Sequence, residues 1–218
     1  MKVVLLLVIL AVGVLGYWLV LRLTLNTDSP LVPVSSGNMC LAQPRCDGFT
    51  HPFGRTLHIG DLVVVQGINA RDVVVEYPSS DVLVFHTPRQ NPSQEDTLIV
   101  TRAVAREEID GIAYFRTKSD GTGTHKWPQV PDVNECEFWS DYRENYTRSG
   151  MISEKLLVGK VVFRIPWVGH LLFFVFSYSW ALVVVAIVAL LIVVKFVVPR
   201  FEGRKLETES EKSSEKSF

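Results

Sequence analysis

The chain has 218 residues, with 22 Lys and Arg against 23 Asp and Glu and a hydrophobic content of 48%. A formal net charge of −1 without a basic stripe excludes the electrostatic footprint of nucleic-acid binding. Setting two apolar segments and a tail aside leaves about 140 residues, the size of one ordinary domain.

Residues 3–21 carry no charge after Lys2, close to the roughly 20 apolar residues that take a helix across the hydrocarbon core. A cleaved signal peptide is the competing reading; its apolar stretch is shorter, about 7 to 15 residues, and a small-x-small site follows it. Here Tyr17, Trp18, Leu19, Leu21, Arg22 and Leu23 continue instead. Residues 1–24 are therefore expected to be an uncleaved transmembrane anchor, with the long stem of Arg22 snorkelling to the interface.

Residues 25–166 follow as one β-rich domain. Short β-branched runs at 62–66, 73–77, 82–86, 98–106, 112–117 and 156–165 alternate with Gly, Pro, Asn and Asp, a pattern of strands and turns without helical periodicity. The expected fold is a membrane-anchored all-β domain, a compact barrel or sandwich, with two transmembrane helices. Insertions near 40–57 and 122–151 break the rhythm and read as loops. In an exterior compartment Cys40 and Cys46 would close a small disulfide, with Cys136 left over or pairing instead, while three free thiols remain the alternative. Asn145, Tyr146 and Thr147 form a glycosylation sequon, meaningful only for a loop outside the cell.

The aromatic segment at 167–178, with Trp167, Phe173, Phe174, Phe176 and Tyr178, suits the headgroup level of a bilayer. Residues 179–198 form the second expected span, apolar from Trp180 except for Lys195. The tail at 199–218 mixes Glu, Lys and Ser without apolar periodicity and is expected to be disordered. Lys2 precedes the first span, and Lys195, Arg200, Arg204 and Lys205 flank the far end of the second. Both termini are thus expected in the cytoplasm and the β-domain on the exterior face of an integral membrane protein in contact with the lipid bilayer.

Five runs, in order, carry a resemblance: PVSSGNM at 33–39, GDLVVVQG at 60–67, LIVTRAV at 98–104, FRTKSD at 115–120 and VGKVVFRIPWVG at 158–169. Together they resemble the archaeal and endoplasmic-reticulum type of signal peptidase I over nearly the whole exterior domain. The resemblance implies a serine endopeptidase fold at the outer membrane face that cleaves signal peptides after small residues. It also implies a substrate held as an extended strand along a sheet edge, which would place Ser36, Met39, Val82, Val84 and Phe85 at the substrate. No cofactor is implied.

The catalytic positions depart from the family pattern. Asn38 stands between Gly37 and Met39, where the family has its nucleophilic Ser, and an amide offers no alkoxide for an acyl-enzyme. Thr101 stands between Val100 and Arg102, where the family has its His, and a hydroxyl takes up no proton near neutral pH. Asp120 is retained, while His125 and Lys126 lie where a second aspartate belongs. In a comparable protease, loss of nucleophile or base alone costs about 10⁶-fold in turnover. Sliding the nucleophile to Ser36 or Ser35 is disfavoured, because neighbouring strand residues point to opposite faces and oxyanion donors fit one position.

Other chemistries are weaker. Cys40 with His51, His58 or His86 matches no known cysteine-peptidase spacing, and His51, His58, His86 and His125 lack the paired short spacing of a zinc site, so no metal is expected. The leading expectation is a catalytically inactive signal-peptidase-like protein retained for binding signal peptides or preproteins, or for joining an active signal peptidase or the translocon. The alternatives are an active peptidase with a non-standard nucleophile and base, and a structural membrane protein with no peptide groove.

Overall fold

The computed structural model describes residues 2–42, 46 and 54–177, with side chains from Val12 to Phe174. The expected second span and tail, at 179–218, lie outside these residues, as does His51. Residues Trp18–Phe173 form one compact unit. The sheet, its two cores and the cleft described below all belong to Trp18–Phe173.

Helix α1 covers Lys2–Leu25. Its described apolar side chains are mostly open, among them Leu15, Tyr17, Leu19 and Leu23. Among the described residues no helix is long and apolar enough to cross a membrane. A second helix, α2 (Val168–Ser177), follows the last strand and forms most of the aromatic segment.

Among the described residues eight strands make one antiparallel sheet: β1 (Leu31–Pro33), β2 (Leu62–Gln66), β3 (Val82–His86), β4 (Leu98–Ile109), β5 (Ile112–Lys118), β6 (Thr147–Arg148), β7 (Met151–Ser153) and β8 (Leu157–Ile165). Their spatial order is β1-β2-β8-β3-β4-β5-β7-β6. The all-β expectation therefore holds, but among the described residues the sheet keeps two ends, β1 and β6, instead of closing. The last strand in sequence fills the centre, with β8 pairing β2 on one side and β3 on the other.

Burial follows from that order. Leu83, Val84 and Phe85 of β3 are all fully buried, because a strand with partners on both edges and cores on both faces needs a continuous apolar run. Leu83 and Phe85 enter one core with Ala103, Phe115, Ile152 and Leu156. Val84 enters the other with Val32, Val34, Met39, Val63 and Val65. The two sets are the two faces of one strand, sorted by the period of two.

Asp110 and Gly111 turn β4 into β5 with φ of 54° and 76°, the two left-handed positions that a two-residue hairpin requires. The same geometry recurs at Ser149 and Gly150 between β6 and β7. These two short strands lie within or across the segment read as a loop at 122–151; two or three residues show no periodicity, and their stability comes from β7 pairing with β5 at Phe115 and Ile152.

The strand expected at 73–77 does not form, because other partners satisfy its backbone. Arg106 donates to the carbonyls of Ala70, Arg71 and Val73. The N–H of Val74 donates to the Asp81 carboxylate at 2.9 Å, and the Asp81 N–H returns to the Val74 carbonyl at 2.9 Å. Both rungs that would have begun a ladder are used in a closed loop.

Candidate functional site

The phase of the β3–β4 ladder leaves part of one strand edge open. Thr87 N–H donates to Thr97 O and Ala103 N–H to Asp81 O. With Phe85 opposite Ile99 and Leu83 opposite Thr101, residues 97, 99, 101 and 103 turn their peptide groups toward β3. Leu98, Val100 and Arg102 turn theirs the other way. On that side β5 pairs from Arg102 onward, where Lys118 is the partner, so among the described residues no strand covers Leu98 or Val100.

A second open edge faces the same space. Val34 N–H donates to Asp61 O and Val65 N–H to Pro30 O, with Val32 opposite Val63. Hence Pro30, Val32 and Val34 are bonded to β2, while Leu31, Pro33 and Ser35 face away from it. β1 ends the sheet. Between these edges lies a cleft of roughly 390 Å³, with Pro33 to Ser36 on one wall and Thr97 to Thr101 on the other.

Asn38 and Met39 also line it. Their loop is held by the disulfide between Cys40 and Cys46, whose Cα atoms are 5.7 Å apart, and by the Gly121 N–H, which donates to Asn38 O at 2.9 Å. A Cβ at position 121 would lie 2.0 Å from the Cys40 carbonyl, so only glycine permits this approach. The Asn38 side chain is exposed to the cleft while Met39 beside it is buried in the apolar core.

Period-two alternation then divides the polar residues of β4 and β5 between two faces. Thr101, Thr117 and Ser119 take one face. The Ser119 hydroxyl donates to Glu137 Oε1, Thr117 Oγ1 donates to Glu137 Oε2 at 3.3 Å, and Trp139 Nε1 donates to Thr117 Oγ1 at 3.1 Å. Ser119, Glu137 and Trp139 line the cleft with Thr101. Burial pushes the Glu137 carboxyl above its ordinary range, against hydrogen bonds from Ser119 and Thr117 that pull it down. Thr101 is 2% exposed, and its Oγ1 has no partner among the described residues.

Arg102, Lys118 and Asp120 take the opposite face. Arg102 grips Asp120 with both ends of its fork, at 2.7 and 2.8 Å, and donates to Ser80 O at 2.7 Å. Trp127 lies under the guanidinium, 5.4 Å from the ring centre. Burial first, and then the charge of Asp120, push the Tyr77 phenol up to about 12. Lys118 Nζ donates to the carbonyls of Thr122 and His125. Asp120 is therefore an anchor for Arg102, turned away from Thr101.

The structure thus brings together Asn38, Thr101, Ser36 and Met39 around one cleft. It does not bring Val82, Val84 and Phe85 there. Phe85 and Val84 are core residues and Val82 packs against the core, because β3 is paired along both edges and has none to offer a peptide. The open edge belongs to β4 instead. Glu137, Ser119 and Trp139 escape sequence reasoning, since two come from a loop without periodicity and all three meet only through the β5 register.

None of the described histidines lines the cleft. His58 accepts from Arg164 at 3.4 Å beside the buried Asp61, His86 pairs with Asp96 and His125 with Glu135. Among the described residues no group of three metal-ligating side chains forms. Cys40 is oxidised, and burial pushes the thiol of the free Cys136 up, away from thiolate chemistry. Comparison with protein-family models, with curated proteins and with solved structures finds no match.

Proposed function

We propose that this chain is a membrane-anchored, signal-peptidase-like protein that holds an extended segment of a preprotein without cutting it. One observation carries the reading: a cleft between two uncovered strand edges has Asn38 and Thr101 on its walls, and no imidazole, thiol or ammonium among its described lining. Leu98, Val100 and Ser35 offer peptide groups to an added strand, which gives affinity by main-chain hydrogen bonding. Hydrolysis needs an activated nucleophile, and an amide beside an unassisted hydroxyl supplies none. The five motif runs support kinship with signal peptidase I. The apolar run at 3–21 and the exposed Trp167, Leu171 and Phe174 support two anchors and an interfacial segment. Both termini then lie in the cytoplasm and the domain outside, where it binds signal peptides itself or presents them to an active peptidase or the translocon.

The test uses the full chain in detergent with labelled peptides taken from preprotein cleavage regions, each carrying one N-methylated residue. Binding should weaken about tenfold at every second position, and no product should form. Binding insensitive to N-methylation would remove the edge-pairing model. Cleavage abolished by Ser36→Ala or Ser119→Ala would establish an active peptidase in its place.

A further inference from the structure

The cleft has a polar end with more acceptors than donors. The Glu137 carboxyl group accepts from the Ser119 hydroxyl at Oε1, the Thr117 hydroxyl at Oε2 and the Ser119 backbone N–H, while Trp139 donates to Thr117. This arrangement satisfies the ionised form, yet a carboxylate accepts about four hydrogen bonds and three are made, two from hydroxyls and one from the Ser119 backbone N–H. Thr101 Oγ1, almost wholly buried and lining the same cleft, has no partner among the described residues. Lys118, on the opposite face of β5, is committed to the carbonyls of Ser119, Thr122 and His125. No cation is among the described residues that line the cleft.

We propose that the extended segment held in this cleft carries a lysine side chain that ends between Glu137 and Thr101. The inference rests on the peptide-binding reading above and specifies its ligand. An ammonium has three donors and no acceptor, and here it meets the Glu137 carboxylate, the Thr101 oxygen and the free lone pair of the Ser119 oxygen. Its methylene stem has apolar company in Ile99 and Trp139 on the same face. A norleucine of the same length would leave the half-buried carboxylate without a counter-charge in the cleft, and a glutamate would add like charge.

The experiment measures binding of labelled, N-acetylated and C-amidated peptides to the full chain in detergent micelles. A host peptide of alternating Ala and Ser carries Lys, norleucine, Gln or Glu at each position in turn. One register should favour Lys over norleucine by about tenfold or more, the worth of a charge-assisted hydrogen bond in a partly buried site. In Glu137→Gln the Lys and norleucine peptides should converge. Host binding with Lys and norleucine equal in every register would overturn the lysine inference alone. Absence of binding by every peptide would overturn the peptide-binding reading and the inference together. The comparison of Lys with norleucine is made on the unmodified chain, so the outcome does not depend on how well the variant folds.

Discussion

Replacing Arg102 by Ala should destabilise the domain severely while leaving the cleft chemistry untouched. The substitution removes two charge-assisted hydrogen bonds to Asp120, at 2.7 and 2.8 Å, a third to Ser80 O, and the contact with the face of Trp127. The Asp120 side chain is 1% exposed and that of Arg102 11%. Arg102→Ala thus strands a buried carboxylate, which costs about 3–5 kcal/mol. Removing both charges is different. In Arg102→Met with Asp120→Leu the desolvation cost disappears with the attraction, and the double variant should recover most of the loss. Urea unfolding of the full chain in mild detergent, followed by tryptophan fluorescence, gives the three stabilities and their coupling. A second readout is the Tyr77 phenol, held at about 12 by burial and by Asp120; Asp120→Asn should lower it, as an ultraviolet titration of the folded protein would register. A loss below about 1 kcal/mol for Arg102→Ala would refute the anchoring role. So would a stably folded Asp120→Asn chain that no longer binds peptide, because that result would place Asp120 in the site.

Three further outcomes follow. Asn38→Ser with Thr101→His should yield preprotein cleavage, and Glu137→Gln in that background should cut the rate about 10²-fold or more, since the introduced imidazole joins the face of Ser119 and Glu137; an Asp120→Asn effect on kcat of the same size would reverse the assignment. Because burial raises the Glu137 carboxyl above its unfolded value of 4.5, the folded state binds that proton more tightly, so its contribution costs stability above the raised pKa and is relieved as pH falls toward 4.5. The stability of the native chain relative to Glu137→Gln should therefore improve over that window, and a difference that is flat with pH or moves the other way in paired urea titrations would contradict the burial argument. Cys40→Ser with Cys46→Ser opens a loop whose ends are six residues apart and should cost about 2 kcal/mol by the loop-entropy estimate; an unchanged urea midpoint would mean the bridge constrains nothing.

How far the sequence reached can be followed strand by strand. The runs at 62–66 and 82–86 match β2 and β3 to the residue, because a continuous β-branched run between turn residues leaves the chain little alternative. β4 runs past the expected 106 to Ile109; Glu107 and Glu108 conceal its end, since there only β5 pairs with it and the strand faces water. The run at 73–77 has strand propensity, but Arg106, distant in sequence, takes the Val73 carbonyl and Asp81 takes the Val74 N–H. Asn38 and Thr101 were singled out by the motif runs alone, and the structure sets both on the walls of one cleft. The open edge was not. It exists because β5 stops at Lys118, opposite Arg102, a property of register that no local pattern states. Glu137 was hidden for the same reason: a single carboxylate in an irregular segment acquires meaning only beside Thr117 and Ser119.

The same alternation that built the cleft also restricts what fits in it. A strand added along Leu98 and Val100 pairs with their outward peptide groups, and its side chains must then alternate between the two faces of β4. On one face they meet Met39 and Val34, part of an apolar core. On the other they meet Thr101, Ser119 and Glu137. A uniformly apolar segment would satisfy the first face and leave the half-buried Glu137 carboxylate of the second without a counter-charge in the cleft. A uniformly polar one would forfeit the apolar contact. On the proposed peptide-binding role, the cleft would select a segment that alternates, apolar toward Met39 and cationic toward Glu137, and so would favour the charged flank of a signal sequence over its apolar centre. Peptides from that flank should outcompete peptides from the apolar centre of the same preprotein, and the reverse order of affinity would contradict the pairing of faces on which this argument stands.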